Sequence, residues 1–417
     1  MDKIVINGGT PLTGTVEISG AKNAALPILM GTILTGDRCV IENVPEILDV
    51  DLTLEILEKM GAKVRRDHTT VEVDTKDVRP GISPYELVSR MRGSTYLIGA
   101  ELGRFQYTKV GMTGGCNFGI RPIDQHIKGF KALGATVSTL GGFVEASAEA
   151  LVGSEVYFDM VSVGATVNVI LASVFATGTT VLENAAREPH IVDLANFLNS
   201  CGANIMGAGT DTIKIKGVES LHGSTYAIIP DMIEAGTFMF AAAATGGHVK
   251  INNVIPKHLD SISAKLSEMG VYIEELDDAI IVKREGDMKS INVKTRPYPG
   301  FPTDMQPQMT ALLCFAKGDG RVTEDVWDNR FRYIEELRKT GAQIDIAGKT
   351  ALVHGGGALV GAPMRSVDLR AGAAMVIMGL AVSGRTEIID IHTIERGYDN
   401  IVKKLRNLGA DVRKVSF

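Results

Sequence analysis

The hydrophobic and polar positions along this chain fall into two alternating kinds of helix, each followed by a glycine and then a strand. The first kind carries a single apolar stripe. Before Gly409, residues Ile401, Val402, Leu405 and Leu408 fall at i, i+1, i+4 and i+7, which puts them on one helical face. Asp399 is placed to cap this helix, and Gly409 to end it in the left-handed conformation. The same ending recurs at Met60-Gly61-Ala62-Lys63-Val64, Leu133-Gly134-Ala135-Thr136-Val137 and Cys201-Gly202-Ala203-Asn204-Ile205. It returns at Met269-Gly270-Val271-Tyr272-Ile273, Thr340-Gly341-Ala342-Gln343-Ile344 and Leu408-Gly409-Ala410-Asp411-Val412. The successive glycines stand 73, 68, 68, 71 and 68 positions apart, so six similar units fill the 417 residues.

The second kind of helix is apolar on nearly every side and rich in alanine. It runs from Ala21 to Gly36, Ala165 to Gly178, Gly236 to Gly247 and Ala371 to Gly384, each time leading into a strand such as Arg38-Cys39-Val40-Ile41. Helices of that composition belong in a core. Each unit therefore offers one buried helix, one surface helix and several strands, an α/β chain long enough for two domains. A solenoid of six units is compatible with the same period.

Composition narrows the function classes. A net charge of −6 argues against a nucleic-acid-binding face, which needs a cationic surface. The start of the chain lacks the basic and long apolar segments of a signal peptide, and no apolar run approaches bilayer length, so a cytoplasmic protein is expected. Four scattered cysteines fit a reducing compartment. Metal-ligand spacing is absent, and the glycine-rich stretches fit neither the P-loop nor the dinucleotide fingerprint, so neither a metal nor a cofactor is expected.

Among the cysteines, Cys39, Cys201 and Cys314 lie in apolar patterns and read as packing residues. Cys116 differs: it sits in Thr113-Gly114-Gly115-Cys116-Asn117-Phe118-Gly119, a glycine-rich loop followed by Arg121, a setting that fits either a tuned thiol for chemistry or a solvent-exposed cysteine with no role. Lys22 opens an otherwise apolar helix, a place where the helix dipole disfavours positive charge, and an anionic phosphate there would account for it. Arg92, Arg121 and Arg396 stand beside glycines at loop-to-helix junctions. Asp304, in Pro302-Thr303-Asp304-Met305 before an apolar helix, reads from spacing alone as a helix cap. The lone Trp327 reads as a packing residue.

Several motifs together resemble the UDP-N-acetylglucosamine 1-carboxyvinyltransferase family, in order along the whole chain. They are Gly20-Ala21-Lys22-Asn23-Ala24-Ala25-Leu26-Pro27, the Gly114-Gly115-Cys116 loop with Arg121-Pro122, and Val161-Ser162-Val163-Gly164-Ala165-Thr166. Glu183 to Pro189, Phe301 to Gln306, Asp368-Leu369-Arg370-Ala371 and Arg396-Gly397-Tyr398 complete the set. The resemblance implies two similar α/β (α+β) domains, each of three βαβαββ-type units in an inside-out α/β barrel, which displaces the solenoid. One domain would cover 22–229 and carry the Cys116 loop; the other would join 1–21 to 230–417.

The implied reaction moves the enolpyruvyl group of phosphoenolpyruvate to the 3′-hydroxyl of UDP-N-acetylglucosamine and releases phosphate, opening peptidoglycan synthesis. By similarity Cys116 is the general acid and the residue that fosfomycin alkylates, and Asp304 is the base near the sugar hydroxyl. Lys22, Asn23, Arg121 and Arg396 match the phosphoenolpyruvate ligands. Arg92, Arg121, Pro122, Ile123, Asp124, Gln125, Met160, Val161, Ser162, Val163, Asp304 and Val326 match the nucleotide-sugar site. Partners are thus two small molecules, with no nucleic acid and no membrane insertion. Met160 stands where many relatives carry Lys, Leu48 and Met232 replace basic residues of some members, and Thr113 occupies a frequent Pro position. The alternatives are a catalytically silent paralogue that binds the nucleotide sugar, a shikimate-3-phosphate enolpyruvyl transferase, and a relative of the RNA-terminal phosphate cyclases.

Overall fold

Six small sheets, one for each repeat, account for the paired strands among the described residues. The structure is a computed structural model and describes residues 2–81, 83–112 and 122–416. Within these, residues 20–112 and 122–229 form one compact unit, and residues 2–19 with 230–416 form another.

Each unit is built on three helices buried on almost every side; most of their residues are apolar, as burial requires, although Gln306–Leu313 also buries two glutamines and a threonine. In the first they are Lys22–Gly31, Tyr96–Phe105 and Val163–Ser173. In the second they are Met232–Thr245, Gln306–Leu313 and Leu369–Ala381. The one-striped helices lie outside them, including Leu48–Lys59, Asp124–Ala132 and Pro189–Ser200 in the first unit. All six repeat glycines adopt positive φ, between 91° and 107°. Five of these helix ends are also closed by a hydrogen bond from the next residue's N–H back to the last turn, as from Ala410 to the Leu405 carbonyl.

The typical sheet is an antiparallel trio joined by a short parallel strand. Arg38–Glu42 pairs antiparallel with Thr70–Asp74, which pairs with Lys63–Asp67, while Thr225–Ala227 adds in parallel. The last repeat departs from this plan. Its strands Gly384–Ile389 and Asp411–Ser416 do not pair with each other; Asp2–Gly8 inserts between them, antiparallel to both. The first strand of the chain thus completes the last repeat.

Two helices approach more closely than side chains allow. A Cβ on Gly99 would lie 2.3 Å from the Asn168 carbonyl oxygen, and one on Gly103 would lie 2.5 Å from that of Leu171. The Gly99 N–H instead donates to Asn168 Oδ1 at 2.9 Å. Gly99→Ala must push the helices apart, and a stability loss of about 2–3 kcal/mol is expected. Denaturant unfolding checks it; an unchanged midpoint would contradict this packing.

Two capping expectations are corrected. Asp399 does not cap the final helix, Ile401–Asn407, whose N-cap residue Asn400 makes no side-chain capping bond. Its carboxylate takes the Ser19 hydroxyl at 3.0 Å instead. Asp304 caps nothing either, because two arginines engage its carboxylate.

Candidate active site

Lys22 is the first residue of its helix, in which Asn23 alone is not fully buried. Its ammonium lies 2.7 Å from the Asp49 carboxylate, with 10% and 5% of the two side chains exposed. Asp49 occupies the first turn of Leu48–Lys59, where the helix dipole favours a negative charge. The awkward cation seen in the sequence is thus matched by a carboxylate from a neighbouring helix.

A second group in the same unit gathers most of the expected nucleotide-sugar residues. Pro122 and Ile123 lead into Asp124–Ala132. Gln125 donates to Asp124 at 2.8 Å and to Asp159 at 3.1 Å, and its Oε1 accepts the Asp159 N–H at 3.0 Å. That clasp fixes the start of one helix against the strip Met160, Val161 and Ser162. Ser162 caps Val163–Ser173 by accepting from the Ala165 N–H. His126 is buried beside them, and burial together with the Arg92 charge pushes its imidazole down to about 4, against a smaller opposing pull from Asp124. It is therefore neutral near pH 7. Gly164 makes room for the ring, since a Cβ there would lie 2.8 Å from His126 Nε2. Met160 projects outward, 55% exposed.

In the other unit Asp304 is held between two guanidiniums, Arg330 at 3.2 Å and Arg370 at 2.9 Å. The arginines are almost fully buried, and the carboxylate side chain keeps 28% exposure, so it is the open end of the trio. Burial alone would raise the Asp304 carboxyl, but Arg370 and Arg330 outweigh it and hold the group well below the usual carboxylate range. Asp231 also acts on Arg370, and Asp368 on both arginines, so the two cations sit among several carboxylates. The Arg370 guanidinium also lies 5.7 Å from the centre of the Tyr398 ring. Tyr398 is buried, its hydroxyl 2.9 Å from Thr237 and 3.2 Å from Gln308 Nε2. Arg396 precedes it by two residues, at the end of His392–Glu395. Val326 joins the same neighbourhood through Glu324, which accepts its N–H at 2.9 Å and the hydroxyl of Thr303 at 2.8 Å.

Cys116, Arg121 and Thr113 lie outside the described residues. Among those described, no group of His, Cys, Asp and Glu is arranged to hold a metal ion. No helix among them is long and apolar enough to cross a membrane.

Residues 6–405 match the family model described as EPSP synthase (3-phosphoshikimate 1-carboxyvinyltransferase). A protein of Caldanaerobacter subterraneus subsp. tengcongensis named UDP-N-acetylglucosamine 1-carboxyvinyltransferase 3 is 54% identical, with 100% of both chains covered. One from Clostridium acetobutylicum, named UDP-N-acetylglucosamine 1-carboxyvinyltransferase 2, is 55% identical over 99% of both. The chain belongs to the UDP-N-acetylglucosamine 1-carboxyvinyltransferase family, within the enolpyruvyl transferases. Family membership extends to the fold: the enolpyruvyl transferase NikO from Streptomyces tendae superposes with a TM-score of 0.88 at 26% identity, covering 100% of this chain and 99% of that one. EPSP synthase from Acinetobacter baumannii, at 18% identity and a TM-score of 0.77 over 100% of both chains, shares the fold.

Reading the sequence missed Asp49, His126, Asp159, Arg330 and Arg370 as members of these groups. Arg370 carried a usable signal, because it is a cation inside an otherwise apolar helix, the pattern that singled out Lys22. Asp49 carried none, since an acidic first turn is what any surface helix favours.

Proposed function

We propose that this protein transfers the enolpyruvyl group of phosphoenolpyruvate to the 3′-hydroxyl of UDP-N-acetylglucosamine, releasing phosphate, at the entry to peptidoglycan synthesis. The observation that carries the reading is 54% identity, across the full length of both chains, to a relative bearing that activity in its name. The sugar oxygen bonds to C2 of phosphoenolpyruvate while C3 gains a proton. C3 then loses a proton as the C2–O bond to phosphate breaks, which restores the double bond on the new ether.

The residues divide that work by charge. Lys22, with Asn23, Arg121 and Arg396, takes the phosphate. The trio of Asp304, Arg330 and Arg370 suits a carboxylate on the arginines and a hydroxyl on the more exposed aspartate. Asp304 is a weak base while both guanidiniums hold it. A substrate carboxylate that shares them raises its basicity at the moment a hydroxyl proton must be taken. Arg92, Pro122 to Gln125, Met160 to Val163, and Val326 receive the nucleotide sugar, and Cys116 gives the proton to C3. We assign 22–229 as the nucleotide-sugar domain, 1–21 with 230–417 as its companion, and the cytoplasm as the compartment. The last is supported by three free, buried cysteines.

Purified protein given both substrates should release phosphate and form the enolpyruvyl nucleotide sugar, detected by mass. Shikimate 3-phosphate should not substitute, and fosfomycin should inactivate. Binding of UDP-N-acetylglucosamine without phosphate release would overturn the reading in favour of a silent paralogue.

A further inference from the structure

We infer that Glu324 is a positioning residue for the proton acceptor: through the Thr303 hydroxyl it aims Arg330 at Asp304, and through two backbone N–H groups it ties the Val326 turn to the same piece of structure. The inference rests on the reading of Asp304 as the base and deepens it.

A side chain of this kind with 1% exposure is costly unless donors surround it. Glu324 follows the strand Gly318–Thr323 and meets four of them. Its Oε1 accepts from the Thr295 hydroxyl at 2.7 Å and from the N–H groups of Val326 and Trp327 at 2.9 and 3.1 Å. Its Oε2 accepts from the Thr303 hydroxyl at 2.8 Å. Thr295 Oγ1 itself accepts the Asp325 N–H at 2.9 Å, and Thr303 Oγ1 accepts from Arg330 Nη1 at 3.1 Å. Each hydroxyl therefore receives one proton and gives its own to Glu324.

Three of these four bonds end on segments that carry the site. Thr303 opens the turn Thr303–Met305 and is the chain neighbour of Asp304. Giving its proton to Glu324 turns the lone pairs of Thr303 toward Arg330, whose Nη2 lies 3.2 Å from Asp304 Oδ1. Arg370 Nη2 takes the other oxygen, Oδ2, at 2.9 Å. The plane of the Asp304 carboxylate thus follows both guanidiniums, and a turn of either moves the acceptor. Asp368 also acts on Arg330, so Thr303 is one of several holds on it; its part is to fix the angle of a planar group.

Thr303→Val removes the hydroxyl with little change of shape, and Thr303→Ser keeps it. Turnover should fall on the order of tenfold in the Val protein and stay within about threefold of native in the Ser protein. Glu324→Gln reaches the same bond from the other side. Its amide oxygen must stay on the three donors at Oε1, which leaves the NH2 facing Thr303, whose proton then loses its acceptor. Turnover should again fall on the order of tenfold, and the double variant should lie within about threefold of the slower single one, because both changes remove one bond. Calorimetric titration with UDP-N-acetylglucosamine counts the folded sites, and the stoichiometry should stay at its native value, so that the loss is a loss per site. A residue that merely supported the fold would lower the number of sites and leave the survivors at the native rate. Native turnover per site in Thr303→Val and Glu324→Gln overturns the inference, and so does an equal loss in Thr303→Ser and Thr303→Val. Should the Gln protein fail to fold, the two Thr303 variants decide alone. The proposed reaction is judged on the native protein: if that protein never consumes phosphoenolpyruvate, the reaction falls. Native turnover with undiminished variants sinks this inference alone.

Discussion

Asp304→Asn is expected to lower turnover by roughly 10²- to 10⁴-fold, the range over which a positioned proton acceptor acts. The amide keeps a hydrogen-bonding oxygen for the sugar hydroxyl and loses the ability to take its proton, so binding of the nucleotide sugar should change far less than kcat. The same substitution removes one carboxylate from beside two guanidiniums that are 3% and 5% exposed, while Asp231 still acts on Arg370 and Asp368 on both. A stability loss of about 2–3 kcal/mol should accompany it, the worth of hydrogen bonds to a charged group. Added phosphoenolpyruvate or phosphate should recover part of that loss by supplying the missing anion. The dependence on pH has a definite sign. The Asp304 carboxyl is held below its unfolded value, so its contribution is present above the unfolded pKa and is lost only as pH falls through the folded one. From pH 5 to 9 the stability gap between native and variant should therefore be flat. Retention of more than a tenth of native turnover would remove Asp304 from the role of base.

The repeat was legible because its signal is local. A one-faced helix, a glycine and a strand are read within about ten residues, and each of the six glycines takes the positive φ that its place demands. The insertion of Asp2–Gly8 between Gly384–Ile389 and Asp411–Ser416 could not be read that way, because no local pattern names a partner at the far end of the chain. The misplaced caps have the same origin. Asp304 and Asp399 stand where a capping carboxylate would, but distant groups claim both: Arg330 and Arg370 for the first, Ser19 for the second. The site divides along the same line. Lys22 was conspicuous by conflict with its helix dipole, whereas Asp49 agreed with its own and so looked ordinary. Arg370 and Glu234 conflict with the apolar helices around them, and that conflict, applied to every helix, would have found both.

The charge inside Met232–Thr245 has the largest expected effect on stability. Glu234 is fully buried; it accepts the Ser19 N–H at 2.8 Å and the Lys404 ammonium at 2.6 Å, while Lys404 also donates to the Ser19 hydroxyl at 2.8 Å. Burial pushes the Glu234 carboxyl up to about 7, even though the Lys404 charge and hydrogen bond pull it down. The folded value exceeds the unfolded one, so the stability linked to its proton is complete at low pH and is lost as pH rises through about 7. Lys404→Met removes the downward pull, so at pH 8 the Glu234 carboxyl must either stay charged in the core without its partner or hold a proton against the solvent pH. At pH 8 the variant should lose about 3–5 kcal/mol, the cost of breaking a buried pair by deleting one partner. At pH 5.5 the carboxyl is protonated in the folded state, and the loss should shrink to about 1–2 kcal/mol, from packing and one hydrogen bond. Burial also raises Glu101 to about 7 and Asp193 to about 6, but both proteins carry these groups and their contributions cancel in the difference. Glu234→Gln added to Lys404→Met should restore most of the pH 8 deficit, since a neutral amide needs no counter-ion. Denaturant midpoints at the two pH values decide the matter: a deficit of equal size at both, unrelieved by the glutamine, would mean that Lys404 acts through packing and not through the Glu234 charge.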